Sequence, residues 1–192
     1  MNISTLVEEE VRTEIFYKQI EDSSSKEIFV EVGTYIGGNL LRIANKIRES
    51  NKPIKLYGID DFHFINISDK ALNDDNLACG AYDTRQQAFY DTLINNIKKY
   101  ELEEFVEVID SDSMKASELF KDNSIDLLFL DGNHSYTYCS SELKVWIPKV
   151  KTGGIVSGHD WPSQGIQRAV RENFKEKDIN VTSTNGGYWI VK

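Results

Sequence analysis

Five short stretches of this chain carry side chains able to do chemistry: Glu31–Gly38 (EVGTYIGG), Asp60-Asp61, Asp112-Ser113, Asp131-Gly-Asn-His134 and His159-Asp160. Each sits at or just after the end of an apolar run that reads as a strand. Gly33, Gly37 and Gly38, flanking Thr34 and Tyr35, let a backbone approach a ligand closely, because no β-carbon intervenes. Glu31 interrupts the otherwise apolar IFVEV, and a carboxyl there is costly unless something uses it. Asp60 can accept hydrogen bonds from both hydroxyls of a ribose. His134 and His159 titrate in the range where a base works, near pH ~6.5 when unperturbed. Caps explain an acid at one strand end, and Asp112 with Ser113 suits a helix N-cap. Acids at four strand ends in one chain exceed what capping explains.

The glycine spacing narrows the ligand. Gly33-x-x-x-Gly37-Gly38 is not the G-x-G-x-x-G of a pyrophosphate loop, and no Walker lysine follows it. The loop has no basic residue, and Glu31 would repel a phosphate. A ligand with a cationic end suits it, such as the ammonium and sulfonium of S-adenosylmethionine. Asp131 and Asp160 end the fourth and fifth predicted strands. Neighbouring strands run ~4.8 Å apart, so the two carboxylates can converge on one divalent cation, Mg²⁺, Mn²⁺ or Ca²⁺. His159 or His134 would add a nitrogen ligand and shift the preference toward a transition metal. Either histidine is alternatively a base, or merely orients an aspartate.

The elements that must position these groups follow from periodicity. Predicted strands cover Ile28–Val32, Ile54–Ile59, Phe105–Ile109, Ile125–Leu130 and Ile155–Gly158, the last opened by Gly153-Gly154. Helical spacing appears over 3–21, from the glycine loop to about Glu49, over Thr84–Tyr100, around Ala116–Phe120, over Ser140–Ile147 and over Gln164–Phe174. Ile179–Ser183 and Tyr188–Val191 flank Asn185-Gly186-Gly187, a hairpin signal. Strands alternating with helices predict an α/β, doubly wound, mostly parallel seven-stranded Rossmann-like sheet, finished by an antiparallel C-terminal hairpin strand. An NAD-type sheet would instead have six parallel strands. Residues 62–83, which include His63, have no clear period and read as a lid or acceptor loop. Residues 1–22 read as a helical extension of a single domain spanning 1–192.

The formal net charge of −9 argues against nucleic acid or an anionic membrane as the main partner. No apolar run approaches the ~20 residues of a membrane span, and the acidic amino terminus lacks a secretory h-region. Cys79 and Cys139 are too few for a disulfide framework, so a cytoplasmic setting is expected.

The stretches EIFVEVGTYIGGNLLRIA, LYGIDDF, VIDSDS and DLLFLDGNHSYTYCSSELKVWIPKVKTGGIVSGHDW resemble class I S-adenosylmethionine-dependent methyltransferases. They are similar above all to the bacterial small-molecule O-methyltransferases related to macrocin O-methyltransferase and to cephalosporin-hydroxylase-like proteins. The resemblance implies a cofactor site in which Glu31 meets the methionine ammonium. Gly33, Thr34, Tyr35, Gly37 and Gly38 would wrap the methionine, Asp60 hold the ribose, and Asp112 and Ser113 contact adenine, with Asp131 and His134 nearby. It also implies that Asp131 and Asp160 hold a divalent cation; on chemical grounds His159 is the candidate further ligand, and Asp131, His134 and His159 are the candidate catalytic residues. Trp161 departs from the Asn or Asp often found after the second aspartate in that group. The implied acceptor is a small hydroxylated molecule, such as a natural-product or surface-glycan sugar, and the amino-terminal helix could serve a homodimer. Two other readings stay open: a catalytically silent cofactor-binding scaffold, and a nicotinamide-dependent oxidoreductase.

Overall fold

The structure is a computed structural model and describes residues 13–62, 80–181 and 187–191. Its described elements run α1 (Glu14–Asp22), β1 (Glu27–Val32), α2 (Gly38–Ser50), β2 (Ile54–Asp60), α3 (Gly80–Lys99) and β3 (Val106–Asp110). There follow α4 (Ser113–Ser117), β4 (Ile125–Leu130), α5 (Tyr136–Trp146), β5 (Val150–Gly158), α6 (Gln164–Asn173), β6 (Ile179–Val181) and β7 (Trp189–Val191). The seven strands form one sheet in the order β3-β2-β1-β4-β5-β7-β6. Strands β3, β2, β1, β4 and β5 pair in parallel, and β7 pairs antiparallel with both β5 and β6. The expected fold class is therefore the observed one.

Alternation along β1 sends successive side chains to opposite faces. Phe29 joins a core with Phe16, Leu40, Leu41 and Leu93, so α1, α2 and α3 cover that face. Val30 and Val32 join the other core, with Ala116, Leu143, Trp146, Ile166 and Trp189, under α4, α5 and α6. Glu31 shares the face of Phe29 and is 1% exposed.

Register makes the strand ends level. Val32 pairs with both Ile59 and Leu130, and Leu130 with Gly158. The hydrogen-bond ladder then runs one step past each strand. The N–H of Gly33 donates to Ile59 O at 2.8 Å, Ser111 to Asp60 O at 3.0 Å, Asp131 to Val32 O at 2.8 Å, and His159 to Leu130 O at 3.0 Å. The chemistry-bearing loops thus begin as rigid extensions of the sheet.

Gly33 is where these loops meet. Its φ is +87°, and a β-carbon there would stand 2.2 Å from the backbone oxygen of Asp131. A left-handed φ alone costs a side chain ~1–3 kcal/mol, and the clash is with backbone that cannot swing away. Gly33→Ala is expected to lower stability by more than that strain, read as a reduced midpoint in urea unfolding.

Several boundaries differ from the sequence-based expectation. β5 begins at Val150 and runs through Gly153-Gly154, because Gly153 takes φ +82° and the β4–β5 register shifts between Ile125 and Leu127. α3 begins at Gly80, so residues 80–83 are helical rather than loop. α5 begins at Tyr136, where Ser135 caps it by accepting from Tyr138 N–H. The expected helix over 3–21 is described only as α1, and the turn at 185–187 only at Gly187. Most of the expected loop over 62–83, His63 included, lies outside the described residues.

Candidate active site

The glycine loop leaves β1 with Gly33 and Gly37 both at positive φ, and Tyr35 joins them at φ +50°. The loop folds over Asp60, whose Oδ2 accepts the Tyr35 N–H at 2.7 Å and whose Oδ1 accepts the Phe62 N–H at 2.7 Å. Burial pushes the Asp60 pKa up, against the opposing pull of these backbone donors. Each carboxylate oxygen keeps a second lone pair, so Asp60 can still accept from two hydroxyls. Tyr35 is exposed, and its ring meets Phe89 of α3 edge-on at 4.9 Å. Beneath the loop, Asn39 Nδ2 donates to Glu31 Oε1 at 2.5 Å. Thr34 Oγ1 is buried with no hydrogen-bond partner among the described residues.

The loops after β4 and β5 bring four groups together. His134 Nε2 lies 2.8 Å from Asp160 Oδ2, and His159 Nδ1 lies 3.1 Å from the same oxygen and 3.5 Å from Asp131 Oδ1. Depth separates them. The side chains of His159 and Asp131 are 4% and 8% exposed, while that of His134 is 53% exposed at the rim. Asp160 takes φ +53°, which a non-glycine residue rarely adopts and which aims its carboxyl between the two histidines. Burial opposes ionisation of Asp160, but the hydrogen bonds to His134 and His159 outweigh it and hold its carboxyl well below the usual range. Partnered by Asp160, His134 has a pKa raised above its ordinary value. Donor atoms of Asp131, His134 and Asp160 all lie within 4.8 Å of one another. The pairing can orient an imidazole as a base, and the same atoms can ligate a divalent cation.

Residues 30–161 match a protein family described as a methyltransferase domain. The chain belongs to that family. It is a class I methyltransferase, and S-adenosylmethionine is the methyl donor of the class. No curated protein sequence matches the chain. Solved structures with the same fold include CalS11, a calicheamicin methyltransferase, at TM-score 0.65 and 17% identity over 93% of this chain and 76% of that one. The O-methyltransferase NovP gives TM-score 0.69 and 17% identity over 94% of this chain and 78% of NovP. The S-adenosylhomocysteine-bound methyltransferase PaMTH1 from Podospora anserina gives TM-score 0.63 and 14% identity over 93% of this chain and 75% of PaMTH1.

The remaining expected residues of the methyltransferase lie on the same edge. Asp112 is the N-cap of α4, accepting Lys115 N–H at 3.1 Å, so capping is one real part of its role. Its other oxygen accepts the Tyr138 hydroxyl at 2.9 Å, and Ser113 Oγ accepts the Trp146 indole N–H at 3.0 Å. Trp161 is half-buried, with the Arg171 guanidinium 5.2 Å from its ring. Trp189 is core, at 1% exposure. Sequence reasoning missed Asn39, Tyr138 and Glu142. The last two stand four residues apart on one face of α5, but the helix was expected only from Ser140 and their partners lie in the turn after β3; Asn39 carries no signal either. Among the described residues, no helix is long and apolar enough to cross a membrane.

Proposed function

We propose that this protein transfers the methyl group of S-adenosylmethionine to a hydroxyl of a small acceptor, with His134 as the base. The observation that carries the reading is His134 at the rim, 2.8 Å from an Asp160 that is itself braced by the buried His159. The residues around the glycine loop fit the cofactor. Thr34 Oγ1 waits for a partner, and the buried Glu31 suits an ammonium.

Glu31 and Thr34 would hold the amino-acid end, the Gly33–Gly38 loop would wrap it, and Asp60 would take the ribose hydroxyls. Bound there, the cofactor supplies a sulfonium methyl carbon as electrophile, whose C–S bond breaks with its electron pair going to sulfur as the acceptor oxygen bonds carbon. The protein aligns that oxygen and removes its proton. With Nε2–H donated to Asp160, His134 takes the proton at Nδ1, and Asp160 stabilises the imidazolium that forms. His159 lies against both Asp160 and Asp131 through one nitrogen, so it would brace Asp160 from below. CalS11, which shares the fold, is a TDP-rhamnose 3′-O-methyltransferase of calicheamicin biosynthesis, which supports a sugar hydroxyl as the acceptor.

A second reading is favoured by the 4.8 Å cluster of donor atoms. Asp131, Asp160 and His134, with His159 behind them, would hold a divalent cation, and two oxygens with one nitrogen suit Mn²⁺ at least as well as Mg²⁺. Such an ion would lower the pKa of the acceptor hydroxyl. One experiment separates the two: turnover of a panel of hydroxylated sugars and phenols, before and after exhaustive EDTA treatment. Activity unchanged by EDTA is expected for the base reading, and activity lost with EDTA and restored by Mn²⁺ or Mg²⁺ replaces it with the metal reading. Calorimetry with S-adenosylhomocysteine tests the cofactor itself, and absence of binding at millimolar ligand refutes both.

A further inference from the structure

Tyr138, Glu142 and Trp146 stand at i, i+4 and i+8 on α5 and so share one face of that helix. All three reach the turn after β3. Tyr138 holds Asp112 and Trp146 holds Ser113, as described above, and the Ser113 hydroxyl stands close enough to the Glu142 carboxyl to pull its pKa down. The chemistry of the groups fixes the direction of this chain. An indole N–H only donates, so Ser113 Oγ accepts from Trp146 and its own hydrogen is left for Glu142.

Glu142 is 2% exposed, and its Oε1 has no hydrogen-bond partner among the described residues. That oxygen lies 3.4 Å from where a β-carbon on Gly132 would stand. The carboxyl therefore spans the gap between the turn after β3 and the turn after β4. A buried acid with an unbonded oxygen costs folding free energy. Burial, together with the Asp112 charge, pushes its pKa up to about 7. Leu143 and Cys139 beside it are apolar and buried, and a leucine would fill its space without that cost. What the acid holds explains its presence better than packing does.

The turn it holds is the next station along the sheet edge. From β1 outward through β2 to β3 come the glycine loop, Asp60, and then Asp112-Ser113. A nucleoside with its amino-acid end at Glu31 and its ribose on Asp60 lays its base over that third turn. We infer that Glu142 is a positioning residue for the base: by fixing Ser113, with Tyr138 fixing Asp112, it sets how the turn reads the exocyclic amine of adenine. This inference rests on the cofactor reading above and makes α5 the element that joins the His134 loop to the adenine turn.

The test is calorimetric binding of S-adenosylhomocysteine and of its hypoxanthine analogue, which carries an oxygen in place of the amine. The wild type is expected to prefer adenine. Glu142→Gln should keep that preference, because the amide oxygen still accepts from Ser113. Glu142→Leu should lose about tenfold of it, the worth of one hydrogen bond, and should raise the cofactor KM with kcat little changed. Thermal melting checks that the variants fold. If Glu142→Leu does not, Ser113→Ala removes the same bond from the other side and should give the same loss. An unaltered base preference in a folded Glu142→Leu, or in Ser113→Ala, overturns the inference while leaving the cofactor reading intact. Failure of the wild type to bind S-adenosylhomocysteine removes that reading and this inference with it.

Discussion

Replacing His134 by alanine is expected to lower kcat by about 10²–10⁴-fold, the usual contribution of a positioned base, with a far smaller change in cofactor Kd. The side chain is half-exposed and meets Asp160 through one nitrogen, so its removal leaves no cavity in the core and no reason for the fold to fail. Single-turnover kinetics with saturating cofactor, beside a calorimetric Kd, make the comparison. A loss confined to cofactor binding would transfer His134 from acceptor chemistry to the cofactor site. The pH dependence carries a sign. The pKa of His134 is raised by its hydrogen bond to Asp160, and the base must be neutral to accept a proton. The kcat/KM of wild type should therefore rise with pH, through a midpoint above the ordinary histidine value of ~6.5. Asp160→Asn removes the carboxylate that raises it, so the midpoint should move down while the maximal rate falls. An acidic limb unmoved by Asp160→Asn would break the assignment.

Much of the sheet edge was legible because acids and glycines there interrupt apolar runs. Glu31 within IFVEV, Asp60 after LYGI and Asp131 after LLFL are each conspicuous against a buried strand. The parallel register does the rest, since level strand ends bring all of them to one side. What was illegible depended on partners distant in sequence. Glu142 and Tyr138 lie in a helix where polar residues ordinarily face water, and only the meeting with Asp112 and Ser113, 26 residues away for the Tyr138–Asp112 pair, reveals them as a clamp. Asn39 likewise looks like an ordinary first-turn polar residue until Glu31 is found beneath it. The start of β5 was missed for a local reason: Gly153-Gly154 reads as a turn, yet one glycine at positive φ passes the chain through a bulge and the strand continues.

Glu31→Gln is expected to weaken S-adenosylhomocysteine binding by about 10–100-fold while leaving the apoprotein folded. Glu31 is 1% exposed and faces the apolar α2 side of the sheet, where its bond from Asn39 is from a neutral donor. A buried carboxylate costs folding free energy, and a cationic ligand bound beside it returns part of that cost. Glutamine fills the same volume and can still accept from Asn39, so the packing around Phe29 and Leu40 survives. It lacks the charge, and a hydrogen bond to a charged group is worth ~1.5–3 kcal/mol, with each ~1.4 kcal/mol a factor of ten in Kd. Calorimetry supplies the affinity and a thermal melt the stability. A destabilised apoprotein with unaltered affinity would make Glu31 a structural acid tied to Asn39, and would leave the ammonium end of the cofactor to be held elsewhere on the Gly33–Gly38 loop.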